Sequence, residues 1–332
     1  SKNLAEWKIN NILAVPLLFE NVYHKVNEAL VTKGKKNLVD KMVKVSRASM
    51  KIGIDIRRKL FKQILAGFGG ELKLAVSGAA AIDPKIAQAF TDWGVEFYQG
   101  YGLTETSPVL SACNSFVNVI GSIGNPVSEV ELAIDTDETK PGAIGEILAR
   151  GPNVMLGYYK NEQSTAEVMT GDGWFRTGDM GYFDEKGCIH ITGRIKSMIV
   201  LANGKKCFPE ETESYINDVP GIKESVVWGE KSTRETVDIA GVIRIDRETA
   251  AKEAGADDDA VIGKWLGDKI KAVNSLMPSY KSIKYFVYTE EDFIKTTTLK
   301  IKRSEVEKKI REKLEKSGST MRSANMKNID KL

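Results

Sequence analysis

A glycine-rich polar loop near residue 100 carries side chains suited to binding a nucleotide. The loop reads Gln99-Gly-Tyr-Gly-Leu-Thr-Glu-Thr-Ser-Pro108 and follows a short apolar segment. Gly100 and Gly102 let the backbone turn tightly and approach a ligand closely, because they lack a Cβ atom. Tyr101 offers an aromatic face that can stack on a planar base.

The second half of the same loop offers oxygen atoms for a phosphate and a metal ion. Thr104 has a hydroxyl for a phosphate oxygen, and Glu105 has a hard carboxylate oxygen for Mg²⁺. The same residues fit equally well into a capped loop, in which Thr104 and Thr106 bond the local backbone.

Two further segments combine glycine turns with charged side chains. The first ends in Thr-Gly-Asp179 and the second in Thr-Gly-Arg194. Asp179 can accept both hydroxyls of a ribose, and Arg194 can donate to a ribose or phosphate oxygen. Taken singly, a turn-capping Asp179 and a surface ion pair of Arg194 are the simpler interpretations. Their order and spacing together favour a binding function.

A basic cluster precedes the last helical segment. It reads Thr296-Thr-Thr-Leu-Lys300-Ile-Lys-Arg303. The flexible ammonium of Lys300 can reach a phosphate and a carboxylate. Without further context, a solvated basic run before the helix is the simpler interpretation.

The order of the predicted elements indicates a parallel α/β sheet. Helical periodicity covers residues 17–66, and buried strands are predicted at Leu72–Val76 and Val95–Tyr98. Between these strands, Asp83 is a predicted N-cap, with Pro84 at the first helical position. Sheets of this kind bind ligands at the carboxyl ends of their strands.

After the predicted parallel sheet, the pattern of predicted helices and strands changes at two further points along the chain. Short strands and turns over residues 123–199 predict a β-rich subdomain, and a compact α+β domain follows. We expect domains at 1–195 and 196–332. The last helix is predicted to begin at Ser304 with a capping box to Glu307, and the polar tail from residue 316 to 332 is expected to fray.

Composition excludes several classes of function. The chain has 48 Lys and Arg against 45 Asp and Glu, so its net charge of +3 does not indicate a nucleic-acid surface. Its three cysteines, Cys113, Cys188 and Cys207, lie far apart, which argues against a disulfide framework or zinc site and for a reducing compartment. With two histidines, His-based metal or triad chemistry is not expected.

Neither a membrane-spanning run nor a signal peptide is recognisable, so we expect a cytoplasmic protein. The lysines between residues 33 and 44 are interpreted as a solvated helix face. Peripheral contact with a membrane stays open, and the sequence does not determine the oligomeric state.

Six motifs together resemble those of the adenylate-forming acyl-CoA synthetases and ligases, and the resemblance runs from about Ala14 to Arg303. In order they are SGAA, YGLTETSP, GWFRTGD, GRIKSMIV, NGKKCFPEE and TLKIKR. TLKIKR, with Leu299 where many relatives carry Gly, and NGKKCFPEE resemble the long-chain fatty-acid branch. The implied fold is the C-terminal half of the large domain, a parallel α/β sheet plus a β-rich subdomain, followed by a small mobile α+β domain.

The resemblance implies an acid–thiol ligase that uses ATP, Mg²⁺ and CoA. A fatty-acid carboxylate attacks the α-phosphate of ATP, and the CoA thiol then displaces AMP. The family's Ser/Thr/Gly-rich phosphate loop is absent from this sequence, so we expect a fragment that binds AMP weakly at most and is not competent alone. The alternatives are a fatty-acyl-AMP ligase that loads a carrier protein and a non-catalytic nucleotide-binding or interaction module.

The resemblance also implies roles for single residues. Thr104 would hold phosphate, Glu105 would bind Mg²⁺, and Lys300 would stabilise charge during adenylation. Lys196 would be the hinge about which the small domain rotates between the half-reactions, and Gly204 would lie by the pantetheine path. The adenosine would be bound by Gly78, Ala79, Ala80, Gln99, Gly100, Tyr101, Asp179 and Arg194.

Overall fold

The computed structural model describes residues 2–138, 140, 142–231, 236–296 and 300–332. The chain forms two compact units, Ser1–Ile191 and Thr192–Leu332. The domain boundary expected after residue 195 lies just beyond the division between these units.

The first unit contains a five-stranded sheet with the strand order β1-β2-β3-β4-β5. β1, β2 and β3 are parallel, and β3, β4 and β5 are antiparallel. The predicted parallel sheet is therefore confirmed. The strands are β1 (Asn11–Ala14), β2 (Leu74–Ser77), β3 (Glu96–Gly102), β4 (Val109–Ala112) and β5 (Asn125–Pro126).

Helices account for most of the chain before β2, as the periodicity predicted. They also supply the crossover between β2 and β3. The helices are α1 (Lys2–Glu6), α2 (Pro16–Thr32), α3 (Lys36–Lys51), α4 (Arg57–Leu60), α5 (Lys62–Ala66) and α6 (Pro84–Asp92). Phe19 of α2 and Phe90 of α6 are both 1% exposed, and their ring centroids lie 5.6 Å apart in an edge-to-face contact. Such aromatic pairs stabilise a core beyond the area that they bury.

The predicted start of α6 is confirmed. The Asp83 carboxylate accepts a hydrogen bond from the Lys85 amide, and Pro84 occupies the first turn. The cap satisfies one of the backbone N–H groups that every helix start leaves unpaired. Gly94 follows the helix with a φ of 89°, a conformation that glycine adopts without strain.

The β-rich region is a second sheet of four strands in sequential order. β6 pairs antiparallel with β7, and β7 pairs antiparallel with β8. A helix between β7 and β8 begins after the N-cap Asn161. The elements are β6 (Glu131–Asp135), β7 (Gly145–Arg150), α7 (Glu162–Val168), β8 (Phe175–Phe183) and β9 (Ile189–Arg194).

The second unit is a three-stranded sheet with helices on both faces. β12 and β13 are antiparallel, β13 and β14 are parallel, and β10 and β11 form a separate short hairpin. The strands are β10 (Ile199–Val200), β11 (Lys206–Cys207), β12 (Ile222–Lys231), β13 (Val237–Ile245) and β14 (Ile283–Thr289). The helices are α8 (Pro209–Asn217), α9 (Arg247–Ala254), α10 (Asp259–Asn274) and α11 (Arg303–Lys316).

Alternation along the strands divides the buried residues of this unit into two cores. Val227 packs with Leu266 and the other buried residues of α8, α9 and α10. Val226 packs on the opposite face with Ile310 of α11. Successive side chains of a strand point to opposite faces, so both faces of the sheet need a helical cover.

The start of α11 differs from the sequence prediction. The helix begins at Arg303 after Lys302, which makes no side-chain capping bond. Glu307 forms an ion pair of 2.8 Å with Arg311 instead of bonding back to the N-terminus. The predicted capping box at Ser304 is therefore wrong, because Ser304 already lies within the first turn of the helix.

The tail beyond residue 316 is packed, so the prediction that it frays is wrong. Met321 and Ile329 are 3% and 2% exposed and belong to the α11 core. The tail also follows the edge of β14: the Met326 amide donates to the Phe286 carbonyl at 2.7 Å, and the Tyr288 amide donates to the Lys327 carbonyl at 3.0 Å. The tail thus pairs backbone groups that an edge strand would otherwise leave open.

A substitution at Ile329 tests the packing of the tail. Ile329→Ala should lower the free energy of unfolding of the second unit by about 2–5 kcal/mol, because it removes a buried side chain and leaves a cavity. The measurement is hydrogen–deuterium exchange at increasing urea concentration, read at the amides of β14. Leu332→Ala is the matched control, since Leu332 is 42% exposed. Equal stability of the two variants would contradict a packed tail.

Candidate functional site

The carboxyl ends of β2 and β3 bring two of the sequence motifs together. The strands pair in parallel with Ser77 opposite Gln99, so Gly78 and Gly100 follow at the same edge of the sheet. A Cβ atom on Gly78 would lie 3.9 Å from the Gly100 carbonyl oxygen. The turn after β2 also contains Ala79 with a φ of 70°, which is costly for a residue with a side chain. Ala80 is exposed in the same turn.

The loop predicted from Gln99 onward is shorter than expected, because β3 continues through Gly102. Gly102 is required there, since a Cβ atom would lie 1.7 Å from the Pro108 carbonyl oxygen. The buried Thr106 hydroxyl accepts from the Leu103 amide at 3.0 Å and donates to the Pro108 carbonyl at 2.8 Å. The capped-loop interpretation is therefore right for Thr106, whereas Thr104 is exposed.

Glu105 is held by a segment that sequence reasoning did not single out. The Tyr158 hydroxyl donates to Glu105 Oε1 at 2.9 Å, and the Met155 amide donates to the Glu105 carbonyl at 2.7 Å. Desolvation, together with this bond to Glu105, raises the pKa of the Tyr158 hydroxyl, so it stays protonated as a donor. The Asn153 side chain donates to the Thr106 carbonyl at 2.8 Å. The turn sequence Gly-Pro-Asn153 directly after β7 was the available signal.

Tyr101 and Asp179 lie in contact although they are 78 residues apart in sequence. The Tyr101 hydroxyl donates to Asp179 Oδ2 at 2.7 Å, and Asp179 is 4% exposed. Tyr101 also packs against the buried cores around Leu110 and Ile147. The Tyr101 hydroxyl therefore helps to orient the Asp179 carboxylate.

An irregularity between β7 and β8 determines where Asp179 lies. Glu146 pairs with Met180 and Leu148 pairs with Arg176, so residues 177–179 stand opposite Ile147 alone. The Thr177 hydroxyl donates to the Ile147 carbonyl at 2.7 Å and accepts from the Asp179 amide at 3.1 Å. Bulges of this kind redirect side chains next to functional sites.

Two serine hydroxyls near these loops have no hydrogen-bond partner in the described part of the chain. Ser77 ends β2, and Ser111 of β4 stands opposite Tyr101 in the register. Both residues are 0% exposed. Leaving a buried hydroxyl unpaired is costly, so both serines are sites where an internal water would add stability.

Three other predicted residues lie in the second unit, at the end of β9 or in turns that follow it. Arg194 ends β9, and Lys196 lies in the short 3₁₀ turn Ile195–Ser197; both are exposed. Gly204 lies in the β10–β11 hairpin turn with a φ of 75°, a conformation suited to glycine.

Lys300 is exposed on a second hairpin of this unit. The Thr296 amide donates to the Lys300 carbonyl at 2.8 Å, and Lys295 bridges Ile301 antiparallel. Leu299 and the two threonines before it lie outside the described residues.

The donor set around Glu105 fits Mg²⁺. This cation binds through one or two carboxylates together with substrate phosphates and keeps several waters. Glu105, with a neighbouring exposed Thr104, satisfies that requirement. Over the described residues, no group of three or more His, Cys, Asp or Glu side chains could hold a metal by themselves. The three cysteines are free and buried.

Two family models match the chain in succession. The one described as AMP-binding enzyme covers residues 1–159, and the one described as AMP-binding enzyme C-terminal domain covers residues 196–319. The chain belongs to the adenylate-forming, AMP-binding enzyme family. The resemblance to this family is thereby confirmed, and the long-chain-fatty-acid–CoA ligases among the relatives confirm the resemblance to its acyl-CoA ligase branch.

Curated members of the family are similar over most of the chain. The long-chain-fatty-acid–CoA ligase FadD15 of Mycobacterium tuberculosis is 32% identical, with 94% of this chain and 55% of that protein covered. The long-chain-fatty-acid–[acyl-carrier-protein] ligase AEE15 of Arabidopsis thaliana is 28% identical, with 94% and 50% covered. The chain therefore spans about half the length of the curated relatives that it matches.

Solved structures of the family have the same fold. The amide bond synthetase McbA from Marinactinospora thermotolerans matches with a TM-score of 0.64 at 20% identity and covers 92% of this chain and 53% of that one. The anthranilate CoA ligase AuaEII in complex with anthranoyl-AMP matches with a TM-score of 0.60 at 25% identity and covers 73% and 45%. In the described part of this chain, no helix has the length and apolar character needed to cross a membrane.

Removing one hydroxyl tests the contact between the two motifs. Tyr101→Phe should lower the free energy of unfolding of the first unit by about 1–3 kcal/mol, because a buried carboxylate loses a donor. It should also weaken AMP binding, since Asp179 loses one of the groups that orient it. Urea denaturation and calorimetric titration with AMP measure the two effects. Tyr159→Phe is the matched control, since Tyr159 is 88% exposed. Unchanged values for Tyr101→Phe would refute the contact.

Proposed function

We propose that the protein containing this chain is an ATP-dependent fatty-acid–CoA ligase. In the first half-reaction, a carboxylate oxygen of the fatty acid attacks the α-phosphorus of ATP, and pyrophosphate leaves. In the second, the CoA thiol attacks the acyl carbon, and AMP leaves. The fatty-acid specificity is supported by the named activity of the long-chain relatives.

The observation that carries this proposal is the arrangement at the β2–β3 edge. Two backbone turns, an aromatic ring and a buried carboxylate converge there, joined by the Tyr101–Asp179 hydrogen bond. Ligands of open α/β sheets bind at this position, outside the carboxyl ends of the strands. The donors and the ring surface suit an adenosine monophosphate group.

We assign the adenosine to this edge of the first unit. Gly78, Ala79 and Ala80 would line the adenine through backbone atoms, with Gln99 at its amino edge. Gly100 would allow close approach, and Tyr101 would stack on the ring. Asp179 would accept the ribose hydroxyls, with Arg194 as a further donor.

The phosphates and the cation are assigned to the loop after β3. Thr104 would bond a phosphate oxygen, and Glu105 would supply the carboxylate ligand of Mg²⁺. Mg²⁺, when bound, neutralises charge on phosphate oxygens. Tyr158 already occupies one oxygen of Glu105, which orients the carboxylate before a ligand arrives.

The second unit is proposed to supply the lysine for adenylation. Lys300 would stabilise the charge that develops between the carboxylate and the α-phosphate, an electrostatic contribution that needs no proton transfer. We propose Lys196 as the hinge residue between domains 1–195 and 196–332. Gly204 is proposed to border the pantetheine path in the thioester-forming step.

Assays of the complete protein test the proposed activity. Pyrophosphate release should depend on a long-chain fatty acid, and CoA should accept the acyl group. Transfer to a holo acyl carrier protein with no transfer to CoA would instead establish a carrier-protein ligase, the activity named for the relative AEE15. No fatty-acid-dependent pyrophosphate release would overturn both.

Replacing Lys300 tests its assignment. Lys300→Ala should slow fatty-acid-dependent pyrophosphate release by at least about 100-fold, the usual scale for losing an electrostatic stabiliser. Thioester formation from supplied acyl-adenylate should persist. Lys302→Ala is the matched control, because Lys302 lies two positions further on and pairs with Glu305 at the surface. Equal losses in the two half-reactions would contradict the role of Lys300.

A further inference from the structure

We propose that Glu213 and Glu224 are positioning residues for adenylation, because they hold both ends of the hairpin that carries Lys300. This inference rests on the proposed function of Lys300 and assigns new residues to it. All the contacts that support it lie within the second unit.

The described residues of the hairpin are joined by few hydrogen bonds, one of which runs from the Lys300 amide to the Thr296 hydroxyl at 3.1 Å. The hairpin's described backbone bonds run from the Thr296 amide to the Lys300 carbonyl and from the Lys302 amide to the Ile294 carbonyl, both at 2.8 Å. An isolated two-stranded hairpin is marginally stable in water. The position of the exposed Lys300 therefore depends on contacts of the hairpin with the rest of the unit, which are the packing of Ile294 and Ile301 against the α11 core and the ion pairs at its two ends.

Glu213 holds the C-terminal end. Arg303, three residues after Lys300 in the sequence, donates to the two oxygens of Glu213 at 2.6 and 2.9 Å. Glu213 Oε1 also accepts from the Val227 amide of β12 at 2.6 Å, and Glu213 is 8% exposed. A second carboxylate, Glu210, lies 3.5 Å from the guanidinium. A bidentate pair of this kind determines orientation as well as distance.

Glu224 holds the N-terminal end. The Lys295 ammonium forms an ion pair with Glu224 Oε1. The backbone of Lys295 also forms an antiparallel β-bridge with Ile301 across the hairpin. The other oxygen of Glu224 lies 3.7 Å from the Arg244 guanidinium. Glu224 and Val227 both belong to β12, so the two ends of the hairpin are tied to the same strand of the central sheet.

The energetics of buried ion pairs favour a geometric role for Glu213. Desolvation of two charges offsets most of their attraction, so such a pair contributes little net stability compared with apolar residues of the same shape. Burial raises the pKa of the Glu213 carboxyl, and the Arg303 guanidinium opposes this rise. The pair does specify where α11 begins and hence where Lys300 lies. Displacements of about 1 Å can cost about 100-fold in rate.

Glu213→Gln in the complete protein tests the proposal. The variant keeps the shape of the side chain and weakens its hold on Arg303. We expect the kcat of fatty-acid-dependent pyrophosphate release to fall by about 10- to 100-fold. We expect the KM values for ATP and fatty acid, and thioester formation from supplied acyl-adenylate, to stay within about threefold. Glu305→Gln is the matched control, because Glu305 pairs with Lys302 at the surface of α11.

A double-mutant cycle separates positioning from a general loss of structure. In a Lys300→Ala background, Glu213→Gln should cause no further loss of adenylation, because its effect acts through Lys300. Hydrogen–deuterium exchange provides a readout that does not depend on activity. The amides of Thr296 and Lys302 should exchange faster in Glu213→Gln, while the thermal midpoint stays close to that of the unaltered protein.

The remaining outcomes contradict either the positioning role of Glu213 or the proposed function of Lys300. A loss that persists in the Lys300→Ala background, or equal losses in both half-reactions, would refute the positioning role. If Lys300→Ala itself leaves adenylation unchanged, the proposed function of Lys300 is wrong and the inference falls with it. If Glu213→Gln does not fold, Glu224→Gln tests the other end of the hairpin and should give the same split between half-reactions.

Discussion

The parallel pairing of β2 with β3 is the constraint on which the candidate site of the first unit depends. Parallel strands need a crossover between them, and α6 supplies it. Each strand contributes side chains to the core, among them Ala75 at 0% and Phe97 at 2% exposure, and a register shift of one residue would turn these side chains away from it. Two turns separated by more than 20 residues in the sequence consequently open at one edge of the sheet.

Hydrogen bonds between distant segments then orient the side chains at that edge. Tyr101 bonds Asp179 of the second sheet, and Glu105 bonds Tyr158 of the segment after β7. Asp179 is buried, where a bond to a charged group is stronger than in bulk solvent, whereas the bond to Glu105 lies at the surface. Groups held in this way need little reorganisation when a charged ligand binds, which is the physical basis of electrostatic catalysis.

In the second unit, too, side chains bonded to a sheet position residues that lie outside it. Its central strand β13 is covered on both faces, and the tail completes the edge at β14. Lys300 is exposed on a hairpin beside this sheet. Glu213 and Glu224 connect the two ends of the hairpin to β12, so an exposed residue gains a defined position without being buried.

Local patterns in the sequence by themselves determined the parallel order of the early strands, the cap of α6 at Asp83, the β-rich region and the family. Tertiary structure decided the extension of β3 through Gly102, the start of α11, the packing of the tail and the partners of Asp179 and Glu105. The reason is physical. Periodicity and capping report interactions within one turn or one strand, whereas these outcomes depend on register, bulges and hydrogen bonds between residues as far as 90 positions apart.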